Sequence, residues 1–285
     1  MATLLITGTS GFVGGALARA LAPQHTLYCV SRKINPPIPG ATMIRGEFHS
    51  FEDLRRLDKV AIDACVHLAA VTGGCREEDG IEVNVEGTRK LLRYLIDRGC
   101  RKFVNASSIA AVGFQNVKFR PLQVPLPDEH PCLDRDGYGL SKYLMEELTK
   151  YLWRQNEGID IIDIRLASII PDDAKPQPRA PGPVGPWSLG GISLMFLSDA
   201  VRCFAQAAEA PLKPGVRILN AVGPHACTAC PVPELLRAWY GKDAEGLDFS
   251  AYEQPGHAWD PVYDIRRIQA EIGFVPQRDI PHGAV

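Results

Sequence analysis

The stretch from Thr3 to Ala22 limits what this chain can fold into more than any other. Thr3-Leu4-Leu5-Ile6-Thr7 is a short apolar run that predicts a buried strand. Gly8-Thr9-Ser10-Gly11-Phe12-Val13-Gly14-Gly15 follows, and then Ala16 to Ala22 in helical rhythm, stopped at Pro23. Glycines placed where a strand turns into a helix have separate duties. Gly8 permits the tight turn, Gly11 lets backbone approach a pyrophosphate, and Gly14 lets the helix pack closely on the strand. Exposed N–H groups and the positive helix end then attract phosphates. Gly8, Ser10, Gly11, Phe12, Val13 and Gly14 are therefore expected to hold a dinucleotide.

The next apolar run, His25 to Val30, ends at Ser31-Arg32-Lys33. An acidic residue at this place would bind the adenosine ribose hydroxyls and mark NAD. Ser31 and Arg32 instead offer a hydroxyl and a planar guanidinium, which suit a 2′-phosphate and favour NADP over NAD.

Strand and helix patterns keep alternating. Strands are predicted at 42–48, 64–70, 102–108 and 159–170, the last very apolar. Between them lie a short helix at 51–57, an amphipathic helix from Asn84 to Arg98 closed by Gly99, and a helix at 138–156 ended by Gly158. Strands this apolar are covered on both faces, which predicts an α/β fold with a Rossmann-type, doubly wound parallel sheet. Residues 1–170 would form the nucleotide-binding domain and 171–285 mainly a small C-terminal substrate-binding portion. Helix and strand patterns at 193–222 would return to the sheet, and further helices are predicted at 233–239 and 264–272. The proline-rich segment from Pro171 to Pro186 is read as a cover over the substrate.

Tyr138-Gly139-Leu140-Ser141-Lys142 carries the chemistry. A phenol and an ammonium spaced i, i+4 lie one turn apart on a helix, and the ammonium would stabilise phenolate. A hydroxyl from the earlier strand end at Ser107-Ser108 could hold a carbonyl oxygen against that phenol. Such a set suits adding or removing hydride at a carbon bearing oxygen.

The chain has 285 residues, 46% hydrophobic and 22% charged, enough to bury a large core. With 31 basic and 33 acidic residues the net charge is −2, and no basic run points to nucleic acid or an anionic membrane surface. No apolar stretch reaches a membrane span and no leader pattern precedes the first strand, so a cytoplasmic protein is expected. Eight scattered cysteines read as free thiols, and Cys227-Thr228-Ala229-Cys230 lacks the second pair that a zinc site would need, so no metal is expected. His67, inside a strand, reads as a buried structural imidazole.

Together these motifs resemble the extended short-chain dehydrogenase/reductases, the epimerase/dehydratase family. The likeness rests on Thr7-Gly8-x-x-Gly11-x-x-Gly14, Asp63-x-x-Val66-His67-Leu68-Ala69-Ala70, Asn84-Val85-Glu86-Gly87-Thr88, Ser107-Ser108, Tyr138-x-x-x-Lys142, Arg165 ahead of Ile170-Pro171, and Ile272-Gly273-Phe274-x-Pro276. By that resemblance Tyr138 is the acid/base. Lys142 lowers its pKa and holds the nicotinamide ribose, and Ser108 polarises the substrate oxygen. Glu47 and Phe48 sit where the family places a pair beside the adenine. Leu68, Ala69, Ala70 and Asn84 fall where it lines the cofactor. The resemblance also implies a homodimer paired through helices 84–98 and 138–156.

Departures narrow the chemistry. Ile109-Ala110 stands where sugar dehydratases carry an acidic pair, and neither residue can move a proton. Ser168 stands where nucleotide-sugar epimerases usually have asparagine, which argues for a smaller substrate. Ser107-Ser108-x-x-Ala111-Val112-Gly113-Phe114 and Arg165 to Pro171 look like uronate dehydrogenases. Those enzymes, however, have polar residues at 109–110 and an acid near position 31. The expectation is an NAD(P)-dependent oxidoreductase acting on a small carbohydrate-like or carbonyl substrate. The alternative is a nucleotide-sugar 4-epimerase that keeps its NAD bound. Arg179, in the proline-rich loop, is a solvated cation that could also meet a substrate carboxylate.

Overall fold

The computed structural model of the protein describes residues 1–33, 36–185 and 187–283. Pro186, the last residue of the expected cover, lies outside the described residues. Seven parallel strands form the central sheet, in the order β3-β2-β1-β4-β5-β6-β9. They are β1 (Thr3–Thr7), β2 (Thr26–Ser31), β3 (Ala41–Arg45), β4 (Ala64–His67), β5 (Lys102–Ser108), β6 (Asp160–Leu166) and β9 (Gly215–Ala221). The chain winds outward from β1 in one direction and then returns to lay β4 on its other side. That reversal opens a crevice at the carboxyl ends of β1 and β4. The Rossmann-type parallel sheet expected from the sequence is what the chain forms.

Alternation along the strands sends successive side chains to opposite faces. Leu4 and Ile6 of β1 join Leu17 of helix α1 (Phe12–Leu21) and Phe204 of α7 (Leu197–Glu209) in one core. Leu5 joins the other, with Leu91 and Leu95 of α4 (Thr88–Ile96) and Leu152 of α5 (Gly137–Gln155). The remaining α-helices among the described residues are α2 (Phe51–Leu54), α3 (Glu77–Asp79), α6 (Ser188–Ile192), α8 (Val232–Tyr240) and α9 (Arg266–Ile272).

Several boundaries differ from the sequence reading, each for a local reason. The fourth strand stops at His67 because the Leu68 and Ala69 N–H groups donate to the Thr7 hydroxyl, each at 3.2 Å, instead of continuing the ladder. The helix expected from Asn84 begins earlier, with a π-helical segment from Gly80 to Gly87 running into α4. The apolar run 159–170 divides in two. Ala167 N–H still donates to Ala221, but Ser168 N–H turns to Ser193. From there β7 (Ser168–Ile170) pairs with β8 (Leu194–Phe196) in a separate two-stranded sheet.

Nor is β6 uniformly apolar. Asp160 is buried against Lys102 at 3.0 Å and the Arg217 guanidinium. Asp163 accepts from Asn105 at 2.8 Å and from the Thr149 hydroxyl at 2.5 Å. Part of the proline-rich segment is tied down rather than free-standing, since Arg179 N–H donates to Cys227 and Ala229 N–H donates to Arg179. No helix among the described residues is long and apolar enough to cross a membrane.

Candidate active site

A cleft of about 660 Å³ runs from the glycine turn to the start of α5. Gly8 sits at φ +76°, and a Cβ there would come within 2.7 Å of the Ala69 nitrogen. A Cβ on Gly14 would lie 2.4 Å from the Gly8 carbonyl oxygen. The turn thus brings β1, β4 and α1 together at backbone contact, leaving room above it. Gly11 precedes α1 with no side-chain cap and no acid in the first turn, so the helix end is left to attract an anion. The Thr9 hydroxyl is buried without a partner. Ser10, Gly11, Phe12 and Val13 face the cleft. Bare backbone, a helix end and open volume at the switch point fit a dinucleotide.

Farther along, the Ser31 hydroxyl donates to the Ser10 hydroxyl at 2.8 Å, and Arg32 lies exposed on the cleft wall. Glu47 and Phe48 line the same end, joined by His49 and Glu82, which sequence reasoning missed. The Glu47 carboxylate lies 3.2 Å from His49, and the Phe48 ring packs 4.7 Å from the His67 ring. Leu68, Ala69 and Ala70 form the inner wall.

Asn84 corrects the sequence reading. It is buried and does not line the cleft. Its Oδ1 accepts from Val71 N–H at 2.9 Å, while its Nδ2 donates to the Val71 carbonyl at 3.0 Å and to Ser141 at 2.9 Å. It therefore shapes the wall through the backbone of Val71. His67 is the structural imidazole expected: its two nitrogens meet the Thr7 and Thr88 hydroxyls at 2.7 and 3.0 Å. Burial pushes it down to about 3, so it is neutral.

At the other end, the Asp136 carboxylate caps α5 by accepting from the Tyr138 and Gly139 N–H groups at 3.1 and 2.9 Å. This cap fixes where the phenol emerges. Tyr138, Lys142 and Ser108 all line the cleft. Ser108 and Ser107 part company at the end of β5. Both line the cleft, but the Ser107 hydroxyl donates to Glu146 at 2.6 Å, whereas Ser108 accepts from Ala110 N–H at 3.1 Å and also reaches the smaller cavity beyond. Glu146 is also clamped by the Arg165 guanidinium at 2.7 and 2.8 Å. Tyr138, Lys142, Glu146 and Thr149 thus form a polar row on the α5 face that meets the sheet. An apolar-periodicity search passes over that row.

The electrostatics differ from the expectation built on the Tyr/Lys spacing. Burial pushes Tyr138 up to about 12, opposed by a hydrogen bond with Ser108. The Lys142 ammonium donates to the Ala106 carbonyl at 2.7 Å and lies 5.7 Å from the phenol ring centre. Burial pushes Lys142 down to about 8, against the opposing pull of Asp163 and Glu146. Desolvation therefore outweighs any help the ammonium gives to phenolate.

Beyond Ser108 and Tyr138 a second cavity, of about 180 Å³, is lined by Phe114, Gln115, Ser168 and Trp187. Gln115 and Trp187 carry no motif and were not foreseen. Arg179 is exposed and lines neither cavity. Cys227 and Cys230 are buried free thiols. Among the described residues one group could gather around a metal, His225, Asp279 and His282, with ligand atoms within 4.8 Å of one another. His225 there pairs with Asp279 at 2.7 Å, and none of the three lines either cavity.

Comparison with known proteins agrees with this geometry. A UDP-glucose 4-epimerase of Streptomyces lividans is 27% identical over 155 residues, covering 50% of this chain and 45% of that protein. The chain thus matches about half the length of such curated relatives. Among solved structures, a short-chain dehydrogenase/reductase superfamily protein from Agrobacterium tumefaciens with bound NAD superposes with a TM-score of 0.69. That match has 20% identity and covers 97% of this chain and 93% of that one. A mutated uronate dehydrogenase superposes with a TM-score of 0.64 at 20% identity, covering 98% and 88%. The profile of the NAD dependent epimerase/dehydratase family matches residues 4–182. With the glycine turn, the switch-point cleft and the serine and tyrosine at its end, the chain belongs to that family.

Proposed function

We propose that this enzyme moves a hydride between a nicotinamide and an oxygen-bearing carbon of a small carbohydrate-like or carbonyl substrate, using Ser108, Tyr138 and Lys142. The observation that carries the reading is that Ser108 and Tyr138 line both cavities, where the cofactor cleft meets the smaller chamber. A nicotinamide bound in the cleft would supply or accept the hydride. The chain does the rest. Ser108 holds the substrate oxygen by a hydrogen bond, and Tyr138 takes its proton in oxidation or returns it in reduction. Lys142 holds the ribose and adds positive charge as phenolate develops.

Gly8, Ser10, Gly11, Phe12, Val13 and Gly14 would hold the pyrophosphate, and Glu47, Phe48, Leu68, Ala69 and Ala70 the adenosine half and the inner wall. Ser31 and Arg32 support NADP over NAD, because a guanidinium and no carboxylate stands at the end of β2. Residues 1–170 would serve as the nucleotide domain and 171–285 mainly as the substrate portion. The enzyme would pair as a homodimer through helices 84–98 and 138–156, which sedimentation tests.

A second reading, the nucleotide-sugar 4-epimerase, is favoured by the epimerases among the relatives. It uses the same three residues but retains its NAD through the cycle. Assay of the purified protein for bound cofactor separates the two, together with UDP-glucose/UDP-galactose interconversion. Stoichiometric NAD with interconversion supports the epimerase. Cofactor-dependent absorbance changes with a small substrate support the dehydrogenase. Arg32→Ser should weaken NADP about tenfold and leave NAD unchanged.

A further inference from the structure

We infer that the substrate is small and uncharged, selected by the Gln115 carboxamide and the Trp187 indole; this rests on the hydride-transfer reading above. The chamber beyond Ser108 and Tyr138, at about 180 Å³, is below the ~300–1,000 Å³ of sites for drug-sized ligands. Among its described lining residues only Tyr138 is ionisable, and its proton stays on at neutral pH. A carboxylate or phosphate entering would give up hydration with no cation among those described lining residues to replace it. Lys142 is not that cation, since it lines the cofactor cleft and its ammonium donates to Ala106.

The chamber's polar groups are mostly spoken for. The Ser168 hydroxyl donates to the Gly190 carbonyl at 2.9 Å, and Ser108 belongs to the reacting oxygen. Gln115 is the exception: its Nε2 is buried with no hydrogen-bond partner. A buried amide donor left without an acceptor is costly. A hydroxyl or carbonyl oxygen next to the reacting carbon would supply that acceptor without bringing charge.

Trp187 supplies the apolar side of the same selection. It holds φ +67°, in the left-handed region that bulky residues rarely adopt, and 46% of its surface is exposed. The indole lies 5.8 Å from the Phe114 ring, and a Cβ at Gly73 would come within 2.7 Å of its edge. Bare backbone at 73 and an aromatic neighbour therefore seat the ring as one wall of the chamber. Such a wall suits the C–H face of a sugar ring or polyol.

Initial rates with NAD and NADP on matched compounds test this: neutral aldoses, polyols and hydroxyketones, the uronic acids of the same stereochemistry, and hexoses carried as uridine diphosphate conjugates. The neutral free compounds should show kcat/KM at least about tenfold above their charged counterparts. Gln115→Leu should raise KM for the neutral substrate about tenfold with a smaller change in kcat, and Trp187→Ala should lower kcat/KM by a similar factor, both with cofactor affinity intact. Preference for a uronic acid or a uridine diphosphate conjugate overturns the inference and leaves hydride transfer standing, as does a Gln115→Leu KM within about twofold of wild type. Failure of wild-type enzyme with bound cofactor to turn over any compound overturns the hydride-transfer reading itself, and this inference with it.

Discussion

Asn84 holds Val71 by both backbone groups, accepting its N–H at 2.9 Å and donating to its carbonyl at 3.0 Å. One carboxamide thereby does the work of a strand neighbour for a segment that has left the sheet at His67. Asn84→Leu removes both bonds without removing much volume. It should cost about 1–3 kcal/mol of stability by urea denaturation, from the unpaired groups left behind. Cofactor affinity should fall as well, because Leu68 to Ala70 lose the anchor that follows them. An unchanged affinity would show that the inner wall stands without it.

Gly14 offers a sharper test of the cofactor turn. An added methyl would sit 2.4 Å from the Gly8 carbonyl oxygen, which is backbone and cannot swing aside. Gly14→Ala should push α1 off β1, lowering stability by about 1–3 kcal/mol. In titrations followed by protein fluorescence, dinucleotide binding should weaken by more than the loss of stability explains.

Tyr138→Phe deletes the hydroxyl proposed to move the proton and keeps the ring. Turnover should fall roughly 10²–10⁴-fold while the dinucleotide still binds, as steady-state rates and a binding titration would show. Parallel loss of both would instead mark Tyr138 as a binding residue.

Beneath the site, Arg165 clamps Glu146, and Glu146 holds Ser107. Arg165→Met would strand a buried carboxylate and should cost about 3–5 kcal/mol. Calorimetric unfolding checks it. A smaller loss is expected for the double variant Arg165→Met with Glu146→Gln, since no charge is then left unpaired.

Asp163 should leave a mark on the pH dependence of stability. Burial pushes its carboxyl from 3.8 up to about 7, against the Thr149 and Asn105 hydrogen bonds that oppose it. Between those values the folded chain keeps a proton that the unfolded chain has released. This group's contribution is therefore fully present below the unfolded pKa, is lost as pH rises toward 7, and is level above. Asp163→Asn should remove that falling limb in urea midpoints measured from pH 4 to 8, so that the variant gains on wild type as pH rises.

The parallel α/β sheet, the glycine turn and the Tyr138/Lys142 pair were legible in the sequence because each rests on local regularity: apolar runs, glycines between strand and helix, and i, i+4 spacing. The glycine-turn residues from Gly8 to Gly14 follow from the same local pattern, whereas Glu47 and Phe48 were placed by the family resemblance and His49 by neither. What tertiary structure alone decided depends on partners distant in the chain. Burial of Tyr138 sets its proton affinity, whereas spacing alone suggested the ammonium would. Asn84 turned out to grip Val71, thirteen residues earlier, and Glu146 joined Ser107 to Arg165. Gln115 and Trp187 line the smaller cavity from positions that no periodicity announces. Local sequence carries the backbone's preferences, but desolvation and hydrogen-bond pairing depend on what the fold brings alongside, and there the chemistry of this site was fixed.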